Sequence, residues 1–407
     1  MSAVGTDRSD GCDKVVIVPQ FQGTCWFNAL LVMLFSSEGA RDVLLDARRH
    51  RWGQIRNSPR KSGRRLGAFF SHMLDLYKST DTNAFEWYIK TPPEKILYYL
   101  YRYNPRKFAL PVQWSAEGGF TTESFAYWTY FYAHHLLNFL KVPNVQLDAV
   151  PVNPQSKSGP FRLAIGQIYS RPTQKSPLRP FPRASMRGLL GTSPRVILVT
   201  FGRGSKWRRP SYHMLRGTYS GLPRSIQFGR HTFLLDSLSM SNADAGKPLY
   251  DDRGRPRVDS QGVPKKSGGH VIAGVTCNGR RFVYSGWMKK TRDKSKSDGD
   301  TPGEGPLTND RPCPLMPYDW ERDPRPFFVT TKVCQVQMQK GDMRFNGRWG
   351  ERTLVYVRKD LVHYKRHAFA RAMAARREGR TGEAASALGN ALGRTLRNLF
   401  GSKQRIG

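Results

Sequence analysis

Two residues of this sequence, Cys25 and His270, stand in settings that suit thiol chemistry. Cys25 directly precedes the apolar stretch Trp26–Phe35, which predicts a helix, so its thiol would lie at a helix N-terminus. Backbone N–H groups and the positive end of the helix dipole favour a thiolate there, and the same N–H groups can stabilise an oxyanion. The pattern predicts a nucleophile that needs an imidazole partner. The alternative is a buried structural thiol.

His270 is the best candidate for that imidazole among the nine histidines. Gly268 and Gly269 allow an extended substrate to approach closely, and the run Val271–Cys277 predicts a strand that would hold the ring. An Asn-Gly turn follows and predicts a β-hairpin whose second strand, Arg281–Tyr284, leads into Ser285, within reach of the imidazole. A core histidine and an ordinary strand-end serine are the alternatives.

The residues around the cysteine resemble the cysteine box of ubiquitin-specific proteases, which reads Thr-Cys-Tyr-x-Asn-x-Leu-Leu and then Leu-Phe. The directly matching positions are Thr24, Cys25, Asn28, Leu30 and Leu31, with Leu34 and Phe35 at the end. The run Phe233–Met240, followed after a loop by Gly269-His270, resembles the histidine box of the same family. Three further segments, at 120–140, 194–201 and 353–358, resemble family elements in the right order.

This resemblance spans about residues 20–359 and implies a fold. It implies an α+β, papain-like cysteine peptidase fold, with a helical N-terminal half packed on an antiparallel, β-rich C-terminal half. The order of predicted elements, mostly helices and then mostly strands, also favours an α+β architecture. The sequence is similar as well to divergent peptidase-like proteins of large DNA viruses.

The resemblance assigns roles to individual residues. Cys25 matches the nucleophile and His270 the base, while Gln20 stands at the position of the oxyanion-binding amide, with Gln22 as a second candidate. Ser285 stands where the family has Asp or Asn, which implies a weaker triad without a charged third member. The residues expected to contact substrate are Gln22, Gly23, Trp26, Gly268, Gly269 and Trp287. The family's zinc-binding fingers need four cysteines that this sequence does not supply there, so we expect no metal and no cofactor.

The composition is that of a basic chain that can fill a core. There are 66 Lys+Arg against 31 Asp+Glu, a net charge of +35, and 39% hydrophobic residues. No apolar run approaches the ~18 residues of a membrane span, and the acidic N-terminus does not fit a signal peptide. The five cysteines form no CxxC pair, which argues against a disulfide framework and a zinc module. We expect an intracellular (cytoplasmic or nuclear) or virion-packaged protein that is not secreted and binds no membrane.

The chain divides by composition into three parts, the second of which carries an insertion. Residues 1–14 indicate a polar leader, and residues 15–360 a catalytic domain that carries a basic insertion at about 151–193. Residues 361–407 indicate a basic tail, helical or partly disordered. The basic, turn-rich run Arg51–Arg65 predicts a loop.

Two functions fit these patterns. The first is a cysteine peptidase that cleaves (iso)peptide bonds after small residues in ubiquitin, a ubiquitin-like modifier or a viral protein. From Val150 to Leu235 there are 15 Lys/Arg and no Asp or Glu. This positive charge would repel the basic tail of ubiquitin unless carboxylates from elsewhere contact that tail. The candidates are Glu117, Glu123 and Asp236. The second is a catalytically weak or inactive papain-like scaffold that acts as a basic nucleic-acid-binding or virion structural protein through its basic surface and tail.

Overall fold

The computed structural model describes the chain in segments. They are residues 11–20, 24–78, 84–108, 125–151, 161–165, 193–201, 224–228, 231–242, 255–256, 258, 262, 270–286, 313–323, 325–330, 334–339, 343–347 and 352–362. The chain divides into one compact unit, Met1–Lys359, and a second unit, Asp360–Gly407, of which only residues 360–362 are described. The helices and strands that carry the candidate site belong to the first unit.

Seven α-helices lie within the described residues. They are α1 (Cys25–Phe35), α2 (Glu38–Arg51), α3 (Gly53–Arg56), α4 (Lys61–Asp75), α5 (Ala84–Lys90), α6 (Pro93–Tyr103) and α7 (Phe125–Phe139). Helix α1 is buried along its whole length, which its almost uninterrupted apolar sequence allows. Helix α6 begins at Pro93, a position where the missing N–H of proline is tolerated. None of the described helices is long and apolar enough to cross a bilayer.

The strands of the described segments form a nine-stranded mixed sheet and a two-stranded ribbon. They are β1 (Asn144–Pro151), β2 (Phe161–Ile165), β3 (Val196–Phe201), β4 (Ser225–Phe228), β5 (His231–Ser241), β6 (Val271–Cys277), β7 (Arg280–Tyr284), β8 (Met316–Pro317), β9 (Phe327–Val329), β10 (Met343–Phe345) and β11 (Arg352–Arg358). The order of the larger sheet is β2-β1-β3-β11-β5-β6-β7-β8, with β4 paired to β5. The α+β class expected from the sequence is confirmed.

Helix α1 packs on the middle of this sheet, where it contacts β5 and β6. Strand β6 is buried at every position, which explains its continuous apolar sequence. Gly274 in β6 lies against the Trp320 indole, because a Cβ there would come within 2.7 Å of the indole nitrogen. The two buried elements that flank the candidate site, α1 and β6, are therefore fixed by the core.

Strands β6 and β7 form the hairpin that the sequence predicts. Asn278 and Gly279 have φ angles of 49° and 70°, and a two-residue turn with positive φ at both positions matches the twist of a hairpin. The register pairs Ala273 with Tyr284. The residue before β6 and the residue after β7 are therefore brought to the same end of the hairpin.

Several sequence-based expectations about secondary structure are corrected. The run Arg51–Arg65, predicted to be a loop, contains α3 and the start of α4. The sheet is not purely antiparallel, because β1 and β3 pair in parallel. Strand β2 lies within the stretch 151–193, for which the sequence predicted a basic insertion and no strand. The sequence did not predict α5, β1 or the short strands β4, β8, β9 and β10.

Four of the five cysteines are paired, contrary to the expectation from their spacing. Cys12 bonds to Cys277 and Cys313 bonds to Cys334, with Cα atoms 6.0 and 5.1 Å apart. The partners are 265 and 21 residues apart in sequence, and only the fold brings them together. Disulfides persist mainly in oxidising compartments, so these bonds give no support to the cytoplasmic or nuclear location that we expected. Cys12 also ties part of the expected polar leader to the sheet.

Candidate active site

The Cys25 thiol lies at the first turn of α1, as its sequence predicts. Backbone N–H groups of Val271, Trp26 and Cys25 itself lie close enough to its sulfur to lower the pKa of the thiol. Two of these groups belong to the helix N-terminus, and the third belongs to the residue that follows His270. All five cysteines are among the described residues, and Cys25 is the one that forms no disulfide. The thiol is therefore held between α1 and the start of β6.

The imidazole of His270 contacts Ser285 across the β6–β7 hairpin. Its Nε2 lies 3.2 Å from the Ser285 hydroxyl oxygen, so the sequence-based pairing of these two side chains is found in the structure. The His270 backbone N–H donates to Oδ1 of Asn242 at 3.1 Å, and the Asn242 N–H donates to the His270 carbonyl at 3.0 Å. These two bonds hold His270 at the start of β6. Sequence reasoning missed Asn242, which lies 28 residues away with no motif around it.

The segment before α1 lies alongside the end of β7. The Gln20 N–H donates to the Gly286 carbonyl at 3.1 Å, and the Tyr284 hydroxyl donates to the Val18 carbonyl. A Cβ on Gly286 would lie 2.9 Å from both Cβ and Oε1 of Gln20, so the absence of a side chain permits this approach. Oε1 of Gln20 is buried with no hydrogen-bond partner among the described residues. The predicted oxyanion residue therefore packs against the residue after Ser285.

Asn28 and Trp26 support helix α1. Nδ2 of Asn28 donates to the Pro19 carbonyl at 2.9 Å, which ties the helix to the segment before it. Trp26 is fully buried, with its ring centroid 4.9 Å from that of Tyr132. We expected Trp26 to contact substrate, but the structure places it in the core, because α1 is covered on every side.

The other residues expected to contact substrate lie outside the described residues. They are Gln22, Gly23, Gly268, Gly269 and Trp287. Within the described part of the chain, no group of three or more His, Cys, Asp or Glu side chains could hold a metal ion. The structure brings the His270 imidazole to the Ser285 hydroxyl, the Val271 backbone to the Cys25 thiol, and Gln20 to Gly286.

Burial dominates the electrostatics of this site. The exposed fractions of Cys25 and His270 are 3% and 2%. Burial raises the pKa of the Cys25 thiol to about 11, although the three N–H groups act in the opposite direction. Burial also lowers the pKa of His270 to about 3. Near pH 7 both groups are therefore neutral, which leaves the thiol as a proton donor and the imidazole as a proton acceptor.

The sequence matches no protein-family model and no curated protein. The resemblance to ubiquitin-specific proteases stays a prediction from the residues of the cysteine and histidine boxes.

Proposed function

We propose that this protein is a cysteine peptidase with a papain-like arrangement, in which Cys25 is the nucleophile and His270 the base. The observation that carries the proposal is the 3.2 Å contact between Nε2 of His270 and Ser285. It is supported by the N–H of Val271, the residue after His270, which lies close enough to the Cys25 sulfur to lower the pKa of the thiol. The contact with Ser285 orients the ring through one nitrogen and assigns proton transfer to the other, Nδ1.

The reaction would proceed by acyl transfer to sulfur. As the Cys25 sulfur attacks the scissile carbonyl carbon, Nδ1 of His270 takes the thiol proton and the carbonyl oxygen becomes an oxyanion. The N–H of Cys25 and the side-chain amide of Gln20 would stabilise that charge. The imidazolium then gives its proton to the leaving nitrogen as the C–N bond breaks. Water attacks the thioester with His270 again as base, which releases the carboxylic acid and restores the thiol.

The proposed substrate is a protein cleaved after small residues. The resemblance in the cysteine and histidine boxes supports ubiquitin or a ubiquitin-like modifier, because that family cleaves after Gly-Gly. The net charge of +35 opposes a basic substrate tail. A viral or other protein with an acidic segment around the cleavage site would fit the charge of this chain better.

Covalent labelling tests the proposal. A ubiquitin or peptide probe that ends in a Gly-Gly electrophile should add one adduct to the full-length protein, detected as intact mass. Cys25→Ala should abolish the adduct, and His270→Ala should slow its formation. Because the other four cysteines are paired, a probe that labels both wild type and Cys25→Ala would contradict the assignment.

A second candidate function is a papain-like scaffold with little or no catalysis. The observation that favours it is the burial of both Cys25 and His270, which keeps the thiol protonated and closed to solvent. The basic charge would then act in nucleic-acid binding or in the structure of a virion. No labelling by any thiol electrophile in the native state, together with steeply salt-dependent retention on nucleic acid, would select this candidate.

A further inference from the structure

Residues 47–74 carry a concentration of positive charge that the proposed chemistry does not use. This stretch contains eight Lys and Arg residues and no Asp or Glu. It folds into the end of α2, α3 and most of α4, and α6 packs against α4. We call the exposed surface of the two packed helices the α4–α6 face. Its exposed cations are Lys61, Arg64, Arg65, Lys95 and Arg102.

The two helices run antiparallel across this face. Arg65 donates to the Tyr99 hydroxyl at 3.0 Å, and its guanidinium lies 5.3 Å from the Tyr99 ring centroid. Arg60, just before α4, donates to the Tyr103 carbonyl and lies 5.8 Å from the Tyr103 ring. From the first pair to the second, the residue number falls toward the start of α4 while it rises along α6. The exposed residues of the two helices therefore lie side by side.

Two tyrosines lie among these cations. Along α6, Lys95, Tyr98, Tyr99 and Arg102 follow the spacing of residues that share one side of a helix. Tyr98 is 48% exposed, and its ring centroid is 6.2 Å from that of Tyr99. An exposed aromatic ring flanked by cations suits stacking on a base whose phosphate is neutralised nearby.

The described residues do not neutralise the charge of the face by ion pairs. None of its five cations forms an ion pair within the described part of the chain. The carboxylates that border the stretch are engaged by other arginines, since Asp75 pairs with Arg48 and Asp46 pairs with Arg195. Within the described residues, the five cations are therefore left to pair with a partner.

The start of α4 places this charge where it destabilises the helix. A helix N-terminus favours negative charge and a side-chain cap, yet α4 has Arg60 at the N-cap position and begins with Lys61. Its first turn contains no acidic residue, and the N-cap side chain forms no capping hydrogen bond. A local arrangement that opposes stability is expected at a functional surface.

We propose that the α4–α6 face binds single-stranded nucleic acid, with its cations on the phosphates and Tyr98 stacked on a base. Cation rows alone would also suit a duplex or an anionic membrane, but the exposed tyrosine between them favours unpaired bases. The proposal is independent of Cys25 and holds whether the chain is a peptidase or a scaffold.

Fluorescence anisotropy with the full-length protein and a labelled oligothymidylate, measured over a range of salt concentrations, tests this proposal. Tyr98→Ala should weaken binding about 5- to 100-fold, whereas Tyr98→Phe should bind like wild type. Lys61→Glu should weaken binding. The slope of log affinity against log salt concentration should become shallower by about 0.7 for each phosphate that the protein no longer neutralises. The same substitution should raise the melting temperature, because it improves the helix N-terminus.

Arg322→Ala is the control, because it removes a cation that is 69% exposed in a turn, where it pairs with Asp319, and it should leave the affinity unchanged. If Tyr98→Ala and Lys61→Glu both bind like wild type, the binding lies elsewhere and the proposal fails. The proposal also fails if the two variants bind phosphatidylserine vesicles more weakly than wild type does but bind the oligonucleotide equally well. Electrophile labelling of Cys25 in the same variants separates this outcome from a failure of the peptidase assignment.

Discussion

Nε2 of His270 lies 3.2 Å from the hydroxyl oxygen of Ser285, across a hairpin whose turn is only Asn278-Gly279. The contact joins the residue before one strand to the residue after the next. Serine can accept a hydrogen bond from the ring N–H, but it carries no charge to stabilise imidazolium. The contact with Ser285 orients the proposed base, His270, but does not strengthen it as a charged partner would.

Removing the Ser285 hydroxyl should lower catalysis without unfolding the protein. In Ser285→Ala the imidazole loses one neutral hydrogen bond, so we expect kcat/KM to fall about 5- to 10-fold. Ser285→Asn restores an acceptor and should recover most of that loss. Steady-state kinetics on a Gly-Gly fluorogenic substrate, with melting temperatures as control, measures both. Equal activity in Ser285→Ala and wild type would remove Ser285 from the mechanism.

The approach of Gln20 to Gly286 predicts a second effect on catalysis. Because a Cβ at position 286 would lie 2.9 Å from Cβ and Oε1 of Gln20, Gly286→Ala should displace the amide that we assign to the oxyanion. Removing one oxyanion donor typically costs about 100- to 1000-fold in kcat, so Gln20→Ala and Gly286→Ala should both lower kcat far more than they change KM. A double variant no worse than either single variant would show that the two act together. Full activity in Gln20→Ala would refute the oxyanion role.

Acid should destabilise the folded protein. Burial lowers the pKa of His134 to about 4 and those of His135 and His270 to about 3, from an ordinary value of 6.5. Between pH 6.5 and about 4 the unfolded chain therefore binds protons that the folded chain does not, and the free energy of unfolding falls as pH falls. Buried Asp236, with its pKa raised to about 6, acts in the opposite direction but is one group against three.

Urea denaturation at a series of pH values measures this dependence. His135→Phe keeps an aromatic ring beside Phe131, where the ring centroids are now 4.5 Å apart, and removes one titrating group. Its stability should therefore fall less steeply below pH 6.5. A wild-type stability that is constant or rises from pH 7 to pH 4 would contradict the buried neutral histidines.

The disulfide between Cys12 and Cys277 should contribute to both stability and activity. It closes a loop of 265 residues, and a long closed loop restricts the unfolded chain strongly, so its loss should cost about 2–5 kcal/mol. The bond also joins the segment before Gln20 to the last residue of β6, the strand that begins directly after His270. Cys277→Ser should lower the melting temperature and kcat.

Cys313→Ser opens the 21-residue loop and is the matched control, with a smaller loss of stability. If both variants melt like wild type under non-reducing conditions, the bonds do not stabilise the fold.

The parts of the site that depend on local patterns were predictable. The apolar run after Cys25 predicts α1, and the Asn-Gly turn predicts the hairpin, so the pairing of His270 with Ser285 follows from counting along two strands. Asn242 and the Cys12–Cys277 bond depend on contacts between distant segments, which no local pattern encodes. Their positions could not be predicted.

The helical surface shows a different limit of sequence reasoning. Charge and turn residues in Arg51–Arg65 suggest a loop, yet α3 and the start of α4 form there because Ile55 and Leu66 are buried in the helical layer. Tertiary packing outweighs a weak local propensity in this stretch. The parallel pairing of β1 with β3 was missed for a related reason, since strand direction is set by a connection of more than forty residues.

The most direct test of the account is the rate at which a Gly-Gly peptide electrophile alkylates Cys25 in wild type and in folded His270→Ala, followed by intact mass. A positioned base typically contributes about 100- to 10,000-fold, so the account predicts at least a 100-fold slower reaction in His270→Ala. Equal rates in the two proteins would contradict the Cys25–His270 pair.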